Sequence, residues 1–484
     1  MDRRVHLGLI AILLTATAGC ETNAPARDPS PKTSLQIGIG GGASATAGDE
    51  NGLNAIISNM IGESLVALDN DGRPRPSLVE RWEFSSDGLS LGLRLRDALF
   101  HDGTPVTADI VKSVLDTRLP RTLGPSYDEV TDVRVDSPRE LTLQLRKRNN
   151  FVVDALNTSI LKPGSRTNGT GPFSVTSAVS PITFVANPDY PAGAPGISSL
   201  QMKRYDSVRA AWAELLRGNV DMLYEVGADA LDSLEPSSKV RVFSFRRHYQ
   251  LVGTFNLRSA VLRDPAMRRS LTSALDRSKI IEEALAGRAG SSSGPIWPEH
   301  WAAPTGLAPI AYAPKRLVPE GQSITLRCLV GDTTYERTAI AIQRQLQSVG
   351  VHLELLMPDA EAAMKAFESG DFDIALIEVA SAPNLLRPYL FWSSKGPYNY
   401  GGYSSAPVDA AFDAIRQAVD DDAYRKGVAD LQRAIADDPP AMFIAWTERA
   451  RAVSTAFQVP VEPGRDPLAT LRLWKPVGAT APAN

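Results

Sequence analysis

Residues 81–113 read RWEFSSDGLSLGLRLRDALFHDGTPVTADIVKS. Leucines at every second position from 89 to 95 alternate with polar or small residues, and this period of two predicts a β-strand with one apolar face. Because Asp87-Gly88 favours a tight turn just before that strand, the stretch predicts a β-hairpin whose aromatic residues pack on the leucine face. Thr107, which follows a second turn, predicts the cap of a helix.

Several segments on either side of this stretch share their wording with one protein family. They are DNDG at 69–72, PSL at 76–78, FHDGTPVTAD at 100–109, NGTGPF at 168–173, DPAMRRSLTSALDRSKII at 264–281 and GDFD at 370–373. In this order they resemble the family 5 extracellular solute-binding proteins, which are the peptide and nickel receptors of ATP-binding-cassette importers. The resemblance covers most of the chain.

The resemblance implies an α/β fold of the periplasmic-binding-protein type, class II, with two lobes and mixed sheets flanked by helices. It implies lobe I from residues 34–52, 168–252 and 445–484, and lobe II from residues 253–444. Residues 53–167 are expected to form an extra subdomain of lobe I. A solute would bind in the cleft between the lobes, and a hinge motion would close the cleft around it.

The residues themselves predict a partly parallel sheet within lobe II. Strand-like segments at 324–330, 351–355 and 374–377 are separated by helical segments at 335–349 and 360–367. Strands joined by helices in this order usually lie side by side in parallel. The cysteine in the first of these strands is expected to be buried.

Length and composition limit the kinds of protein that this chain can be. A chain of 484 residues is too long for a single core. Its formal net charge of −4 gives no sign of the basic surface that nucleic-acid binding favours, so no nucleic-acid partner is expected. The five histidines and two cysteines show no metal-ligand spacing, and neither a metal nor another cofactor is predicted. We interpret His101 and Asp102 as a structural pair in a turn, and we expect a monomer.

The N-terminus has the pattern of a bacterial export signal. Two arginines at 3–4 precede an apolar run at 7–16, which is too short to span a bilayer permanently. The sequence TAGC, which ends at Cys20, resembles a lipobox and implies a lipoprotein signal peptide at 1–20 with a lipid on that cysteine. Residues 21–33 predict a flexible tether. We therefore expect an extracytoplasmic protein, lipid-anchored to the bacterial membrane, with a plain signal peptide as the alternative.

Candidate ligand-binding residues are predicted from their position relative to the implied lobes and cleft. They are Tyr224, Glu225, Tyr249, Glu378, Ser381, Asn384, Arg387, Tyr398 and Asn399. A buried core aromatic is an equal interpretation of Tyr249. Arg387 is either a surface residue or a clamp for an anionic ligand. No catalytic residue is predicted.

One departure from the family bears on the ligand. Peptide-binding relatives commonly carry an aspartate shortly after the GxFD motif, and this aspartate pairs with the α-ammonium group of the peptide. The corresponding residues 378–390, EVASAPNLLRPYL, contain no aspartate. Because a buried ammonium group without a charged partner is strongly unfavourable, the ligand is expected not to be an ordinary free-amine peptide unless Glu378 takes the role of the aspartate.

Two glycine-rich segments formally match enzyme or nucleotide motifs. GSSSG at 290–294 matches the nucleophile elbow GxSxG, but its flanks do not have the strand and helix that this motif needs, so a flexible loop is predicted. GIGGGA at 38–43 matches the dinucleotide fingerprint, but no helix follows directly. These glycines are instead expected to let the backbone approach a ligand at the cleft.

Three functions are compatible with this sequence. The leading hypothesis is a membrane-anchored solute receptor that delivers a peptide-like or other small organic solute to the permease and ATPase subunits of an importer. The second is an envelope sensor or scaffold of the same fold that takes no part in transport. The third is an envelope hydrolase acting through Ser292.

Overall fold

In a computed structural model of the chain, the described residues are 32–40, 53–306 and 310–478. The predicted signal peptide, Cys20 and all but the end of the predicted tether lie outside them. Within these three ranges, no helix combines the length and the apolar character that a membrane crossing needs.

The described residues form nineteen β-strands and twelve α-helices. The strands are β1 Ser34–Ile39, β2 Val66–Leu68, β3 Pro74–Pro76, β4 Val79–Phe84, β5 Ser90–Leu95, β6 Val130–Ser137, β7 Glu140–Leu145, β8 Phe173–Ser177, β9 Ile182–Ala186, β10 Ser199–Arg204, β11 Met222–Leu223, β12 Val240–Phe255, β13 Ala289–Ser291, β14 Ile324–Val330, β15 Val351–Leu356, β16 Ile374–Ala380, β17 Ala441–Ser454, β18 Phe457–Gln458 and β19 Lys475–Pro476. The helices are α1 Leu53–Ile61, α2 Ala108–Leu123, α3 Phe151–Ala155, α4 Val208–Leu216, α5 Ala228–Leu234, α6 Pro265–Ser273, α7 Arg277–Leu285, α8 Glu336–Ser348, α9 Ala360–Ser369, α10 Leu386–Trp392, α11 Ala406–Gln417 and α12 Asp421–Asp437.

The predicted hairpin is present as β4 and β5, which pair antiparallel. Gly88 in the turn has a φ of 72°, a left-handed conformation that glycine adopts without steric cost. The three leucines of β5 are buried, which confirms the apolar face. Its predicted extension to Leu89 is wrong, because the N–H of this exposed residue is bonded to the side chain of Asp87 within the turn. Oγ1 of Thr107 accepts from the N–H of Ile110 at 3.4 Å and caps α2, as predicted.

One mixed sheet of eleven strands runs through much of the described chain, in the order β15-β14-β16-β12-β17-β11-β1-β10-β9-β8, with β13 paired to β17. Strand β14 pairs in parallel with both β15 and β16. Helix α8 connects β14 to β15 and α9 connects β15 to β16, which are the crossover connections that parallel strands require. The predicted partly parallel sheet of lobe II is therefore confirmed.

Strands β12 and β17 cross from one half of this sheet to the other. Each spans a predicted boundary between the lobes, after residue 252 in β12 and after residue 444 in β17. They pair antiparallel, with a register shift between Arg246 and Gln250, and irregularities of this kind bend a strand locally. Separate hydrophobic cores flank the crossing, one around β14, β15 and β16 and one around β1, β9 and β10.

Most of residues 53–167 form a unit of their own, which we call the extra subdomain. Its four-stranded sheet, β4-β5-β7-β6, packs against α2. The hydrophobic core of this unit is continuous with the core beneath helices α10, α11 and α12 of lobe II. The rings of Phe151 and Tyr389 meet across the junction with centroids 5.3 Å apart. Beside them, Nη1 of the buried Arg416 donates to Glu129 at 2.8 Å.

The contacts of the extra subdomain with lobe I are of a different kind. Helix α1, at the start of the inserted segment, packs into the lobe I core. The remaining part of the extra subdomain is connected to lobe I by hydrogen bonds. The Tyr190 hydroxyl donates to Glu63 at 2.9 Å, and the His101 N–H donates to the Gly169 carbonyl oxygen at 2.8 Å. The chain therefore joins the extra subdomain to lobe I, whereas its core packs on lobe II. Its assignment to lobe I stays a prediction.

The His101–Asp102 turn and the buried cysteine have the structural contacts expected of them. Nε2 of His101 lies 2.9 Å from the carbonyl oxygen of Gly171, and Asp102 forms an ion pair with Lys162 at 2.6 Å. Across the described ranges, no group of three or more His, Cys, Asp or Glu side chains is arranged to hold a metal ion. Cys328 in β14 is buried, and burial raises the pKa of its thiol to about 12.

Candidate functional site

Charged and aromatic side chains gather on one face of the crossing strands, where the lobes meet. Thr447, Arg449 and Arg451 occupy alternate positions of β17, so their side chains project from the same face. Together with their partners they form a group that we call the crossing cluster. It consists of Tyr224, Glu225, Arg247, Tyr249, Tyr335, Glu378, Thr447, Arg449, Arg451 and Asp466.

Glu378 of β16 lies on the lobe II side of the cluster. Nη1 of Arg247 donates to both of its carboxylate oxygens, at 3.0 and 2.9 Å, and Oγ1 of Thr447 donates to Oε1 at 2.5 Å. The guanidinium of Arg247 also lies 4.1 Å from the centre of the Tyr249 ring. Because charge-assisted hydrogen bonds are stronger than neutral ones, Glu378 is firmly held by partners within the chain.

Arg449 contacts groups from both lobes. Its Nε lies 3.1 Å from Oε1 of Glu225, which follows β11 in lobe I. The phenol of Tyr335, which precedes α8 in lobe II, lies close enough to Arg449 to favour its charged form. Burial alone would lower the pKa of Arg449, but Glu378, Tyr335 and Glu225 outweigh it and raise the pKa. This arginine therefore stays charged and links the two lobes at their crossing.

Arg451 holds the lobe I side of the cluster. Its Nε and Nη2 donate to the two carboxylate oxygens of Asp466, at 2.6 and 2.5 Å. The guanidinium lies 4.1 Å from the centre of the Tyr224 ring and also donates to the Tyr224 carbonyl oxygen. Burial opposes the charge of Arg451, but Asp466 and Tyr224 together raise its pKa. A bidentate pair stacked on an aromatic ring leaves the guanidinium little freedom to move.

The formal charges of the crossing cluster cancel. Its three arginines each face one of its three carboxylates, with N–O distances of 2.9, 3.1 and 2.5 Å. The one aliphatic hydroxyl of the cluster, that of Thr447, donates to the Glu378 carboxylate. Polar groups that converge where two bodies meet are suited to binding and orienting a solute.

Two further predicted residues, Ser381 and Asn384, lie in the loop that follows β16. The backbone N–H of Ser381 donates to the carbonyl oxygen of His248 at 3.0 Å, which fixes the loop beside the crossing strands. Both side chains are buried, and Oγ of Ser381 and Oδ1 of Asn384 have no hydrogen-bond partner within the described part of the chain. Because buried polar atoms usually have a partner, these two atoms can still accept a bond from a water or a ligand.

The other three predicted residues lie along α10 and the loop after it. Arg387 is exposed on α10, and Tyr398 is 37% exposed with its ring 5.1 Å from that of Phe391. Nδ2 of Asn399 donates to the Tyr403 carbonyl at 2.7 Å, and its Oδ1 accepts from the Tyr403 N–H at 2.8 Å. Asn399 thus holds its own loop together. A ligand-binding role for these three residues stays a prediction.

Part of the crossing cluster was not predicted from the sequence. The structure brings four predicted residues together there: Tyr224, Glu225, Tyr249 and Glu378. Six others were not foreseen: Arg247, Tyr335, Thr447, Arg449, Arg451 and Asp466. The segment TERAR at 447–451 carries a usable signal, because three long or polar side chains at alternate positions interrupt an otherwise apolar strand.

The segment that formally matches a nucleophile elbow has a structural role. Ser292 is fully buried, and its Oγ accepts from Nε2 of Gln250 at 2.5 Å and donates to the Gly294 carbonyl at 3.1 Å. A hydroxyl that is enclosed and bonded in this way cannot attack a substrate. The hypothesis of a hydrolase acting through Ser292 is therefore rejected.

Comparison with known protein families decides the identity of the fold. Residues 73–401 match the model described as "Bacterial extracellular solute-binding proteins, family 5 Middle". The chain belongs to this family. The resemblance first read from the sequence segments is thereby confirmed.

Individual relatives are similar over most of their length. The probable D,D-dipeptide-binding periplasmic protein DdpA of Escherichia coli K12 is 24% identical over 404 residues, which cover 76% of this chain and 78% of that protein. The oligopeptide-binding protein AppA of Bacillus subtilis is 23% identical over 450 residues, which cover 82% of each protein.

Solved structures share the architecture. NikZ from Campylobacter jejuni, in complex with Ni(L-His), matches with a TM-score of 0.74 at 20% identity, over 92% of this chain and 100% of that chain. AppA from Bacillus subtilis, in complex with a nonapeptide, matches with a TM-score of 0.74 at 20% identity, over 93% of this chain and 100% of that chain. The predicted two-lobed α/β fold of the periplasmic-binding-protein type is confirmed.

Membership of family 5 gives the general activity of the chain. It is a solute-binding component of an ATP-binding-cassette importer and acts outside the cytoplasm. Proteins of this family are binding receptors without enzymatic activity, so the expectation that the chain is not an enzyme is confirmed.

Proposed function

We propose that this receptor is anchored to the bacterial membrane by a lipid on Cys20, closes on a solute between its lobes, and delivers it to the permease and ATPase subunits of its importer. The observation that carries this proposal is the position of Arg449, which contacts Glu225 of lobe I and Tyr335 of lobe II at once. A solute bound beside this arginine contacts both lobes. It therefore binds the closed state more tightly than the open one and shifts the population toward closure.

The relatives suggest the class of solute. DdpA is named for D,D-dipeptides, and AppA binds a nonapeptide in its structure. For this chain we propose a peptide-like or other small organic solute. An ordinary free-amine peptide fits less well, because Glu378, the one acidic residue of 378–390, already accepts from Arg247 and Thr447.

The proposed contacts of the solute begin with the predicted residues that belong to the crossing cluster. These are Tyr224, Glu225, Tyr249 and Glu378. Ser381 and Asn384 are the next candidates, since each keeps a buried oxygen atom without a partner in the described chain. Arg387, Tyr398 and Asn399 are proposed only for the outer part of the cleft.

The lipid anchor is tested by cell fractionation. Each buried CH₂ of an acyl chain contributes roughly 0.8 kcal/mol to membrane binding, so a multiply acylated Cys20 holds the protein firmly. The variant Cys20→Ala is expected to move from the membrane fraction to the soluble fraction. Cys328→Ala is the matched control, since that cysteine is buried in a strand, and it is expected to stay with the membrane. Equal membrane association of both variants would refute the anchor.

The receptor proposal is tested with the solute that the protein carries from its native host. Mass spectrometry of the small molecules released on denaturation identifies this solute. Added back to solute-free protein, it is expected to raise the Tm by several degrees and to reduce the radius of gyration in solution scattering. A released fraction that changes neither quantity would contradict the proposal. Binding and closure without uptake by the host would instead favour an envelope sensor or scaffold.

A further inference from the structure

The crossing cluster also restricts the charge of the solute, provided that the proposed function holds. We infer that the bound solute carries no net charge and is rich in oxygen acceptors, as amide- or hydroxyl-bearing compounds without a free ammonium group are. The inference depends on three properties of the cluster: its internal charge balance, the hydrogen-bond donors that it leaves unused, and the aromatic rings beside them.

Charge balance is the first property. Each carboxylate of the cluster already faces an arginine, at N–O distances of 2.9, 3.1 and 2.5 Å. A further unit charge enclosed by the closing lobes would have no free counter-charge in the cluster. The burial of an uncompensated charge is far more costly than the burial of a neutral polar group that is hydrogen-bonded. A neutral solute avoids this cost.

Unused hydrogen-bond donors are the second property. Arg247 donates to Glu378 through Nη1 alone, and among the described residues its Nε and Nη2 have no hydrogen-bond partner. The side chain is partly exposed, so these donors can reach a solute. The carboxylate oxygens of Glu378, by contrast, accept from Arg247 and from Thr447. The groups that the cluster itself leaves for a solute near Glu378 are N–H donors, and their natural partners are carbonyl or hydroxyl oxygens. In the next loop, Oγ of Ser381 and Oδ1 of Asn384 can accept from the hydroxyl or amide groups of the same solute.

Aromatic rings are the third property. Tyr249 lies under the Arg247 guanidinium at 4.1 Å, and Tyr224 lies under that of Arg451 at the same distance. Both rings are partly exposed, so their edges and hydroxyl groups add apolar contact area and polar ends to the wall of the cleft. Aromatic surface beside a few convergent polar groups is the usual composition of a small-molecule site, and it adds contact area for a solute without adding charge.

The charge of the solute is tested by fractionating a small-molecule extract of the native host on a strong cation exchanger and a strong anion exchanger. The cation exchanger is loaded at about pH 2, where a free-amine peptide is a cation and is retained, and the anion exchanger is loaded at about pH 9. Each fraction is added to solute-free protein, and the Tm is measured. We expect the Tm to rise with the fraction that neither exchanger retains. A rise only with the cation-exchanger fraction, or only with the anion-exchanger fraction, would overturn the inference and leave the receptor function intact. If no fraction raises the Tm, the proposed function fails as well.

The role of Arg247 is tested by substitution. In Arg247→Gln the carboxylate of Glu378 loses the arginine that is hydrogen-bonded to it and keeps only the more distant charge of Arg449. This variant is therefore expected to lose at least tenfold in affinity for the unretained fraction and to gain a Tm response to the cation-exchanger fraction. The matched control is Arg246→Gln, because Arg246 forms an ion pair with Glu299, outside the cluster. Its partner on β17 is Glu448, which lies between Thr447 and Arg449 and therefore on the opposite face of the strand. The control is expected to bind as the unsubstituted protein does. An Arg247→Gln variant with unchanged binding of all fractions would overturn the inference.

Discussion

At the scale of single residues, Asp154 is a carboxyl group held at the junction between two cores. It lies in α3 where the extra subdomain meets lobe II, and its carboxylate accepts a hydrogen bond from the backbone N–H of Leu386. Burial raises the pKa of this carboxyl to about 8, although the hydrogen bond acts in the opposite direction. The side chain is therefore protonated in the folded protein at neutral pH and ionised in the unfolded chain.

This raised pKa predicts a loss of stability in mild base. Between the ordinary pKa of an aspartate and about 8, the folded state binds more protons than the unfolded state, so the free energy of unfolding falls as the pH rises through this window. From pH 5 to pH 9 we expect Asp154 to remove on the order of 3 kcal/mol, and Asp154→Asn to abolish this loss. Urea unfolding at several pH values measures it. The exposed Asp97→Asn is the control; identical pH profiles for all three proteins would contradict the prediction.

A buried histidine predicts the opposite behaviour in acid. Burial lowers the pKa of His300 to about 4, with Asp71 and Arg73 as opposing neighbours, and its Nδ1 accepts from the Ala302 N–H at 3.1 Å. Because the unfolded chain binds the extra proton first, the free energy of unfolding falls as the pH drops from about 6.5 to about 4.

The measurement compares His300→Phe with the unsubstituted protein in urea unfolding at pH 7 and pH 4.5. The variant keeps a ring against Trp301 and Tyr424 but cannot be protonated, so it is expected to lose on the order of 2 kcal/mol less over this range. The exposed His352→Gln is the control and is expected to behave as the unsubstituted protein. A steeper acid loss in His300→Phe would show that the ring is charged in the folded state.

At the scale of secondary-structure elements, Gly40 shows why the chain needs a glycine after β1. A Cβ added there would lie 2.5 Å from the backbone nitrogen and Cα of Val208, the first residue of α4. The sequence analysis expected these glycines to let a ligand approach the backbone. At this position the missing side chain instead lets the start of α4 pack directly on the end of β1.

Substitution of this glycine is expected to destabilise the fold. Gly40→Ala forces backbone atoms apart, which costs about 1–3 kcal/mol and lowers the Tm in a thermal melt. Gly92→Ala is the control, because a Cβ there meets nothing closer than the Glu83 carbonyl at 3.8 Å, and it is expected to change the stability little. Equal melting temperatures of the two variants would show that α4 adjusts without cost.

Several secondary-structure elements could be predicted from the sequence alone. Local patterns gave the β4–β5 hairpin, the Thr107 cap and the parallel strands of lobe II, because each depends on neighbours close along the chain. The pattern failed at Leu89, where the alternation continues into a turn whose hydrogen bonds the sequence does not reveal.

Only four of the ten residues of the crossing cluster were predicted, for a related reason. Glu378, Arg247 and Thr447 come from three strands that meet through long-range pairing, and the register of such pairing is set by the whole sheet. The family resemblance located residues near the ends of strands. It could not show that arginines of the crossing strands form ion pairs with two of the predicted residues, Glu378 and Glu225.

At the scale of the whole molecule, the packing of the extra subdomain bears on how the lobes move. Its core continues into that of lobe II, and the pair of Arg416 with Glu129 lies within this junction. Separation of the two would expose apolar surface and break a largely buried ion pair. Toward lobe I, α1 and Leu161 pack into the lobe I core and are expected to stay with it, whereas the remaining polar bonds to lobe I can exchange with water at little cost. We therefore expect the extra subdomain to move with lobe II, although the chain connects it to lobe I.

Distances between pairs of spin labels test this expectation. Exposed sites are available at Asp97 in the extra subdomain, Lys426 in lobe II and Arg217 in lobe I. The labels are introduced into the Cys20→Ala variant, and distances are measured before and after addition of the co-purified solute. The distance between labels at Asp97 and Lys426 is expected to stay constant, whereas the distance between labels at Asp97 and Arg217 is expected to change. The reverse result would show that residues 53–167 move with lobe I, as the sequence-based assignment predicts.

The receptor function requires the two lobes to close on a solute, and the distance between spin labels at Arg217 and Lys426 measures this closure. Pulsed electron-spin resonance would compare solute-free protein with protein saturated by its co-purified solute. We expect a broad distance distribution without the solute and a shorter, narrower one with it, because the bound state is closed. An unchanged distribution with a solute that nonetheless raises the Tm would contradict this expectation.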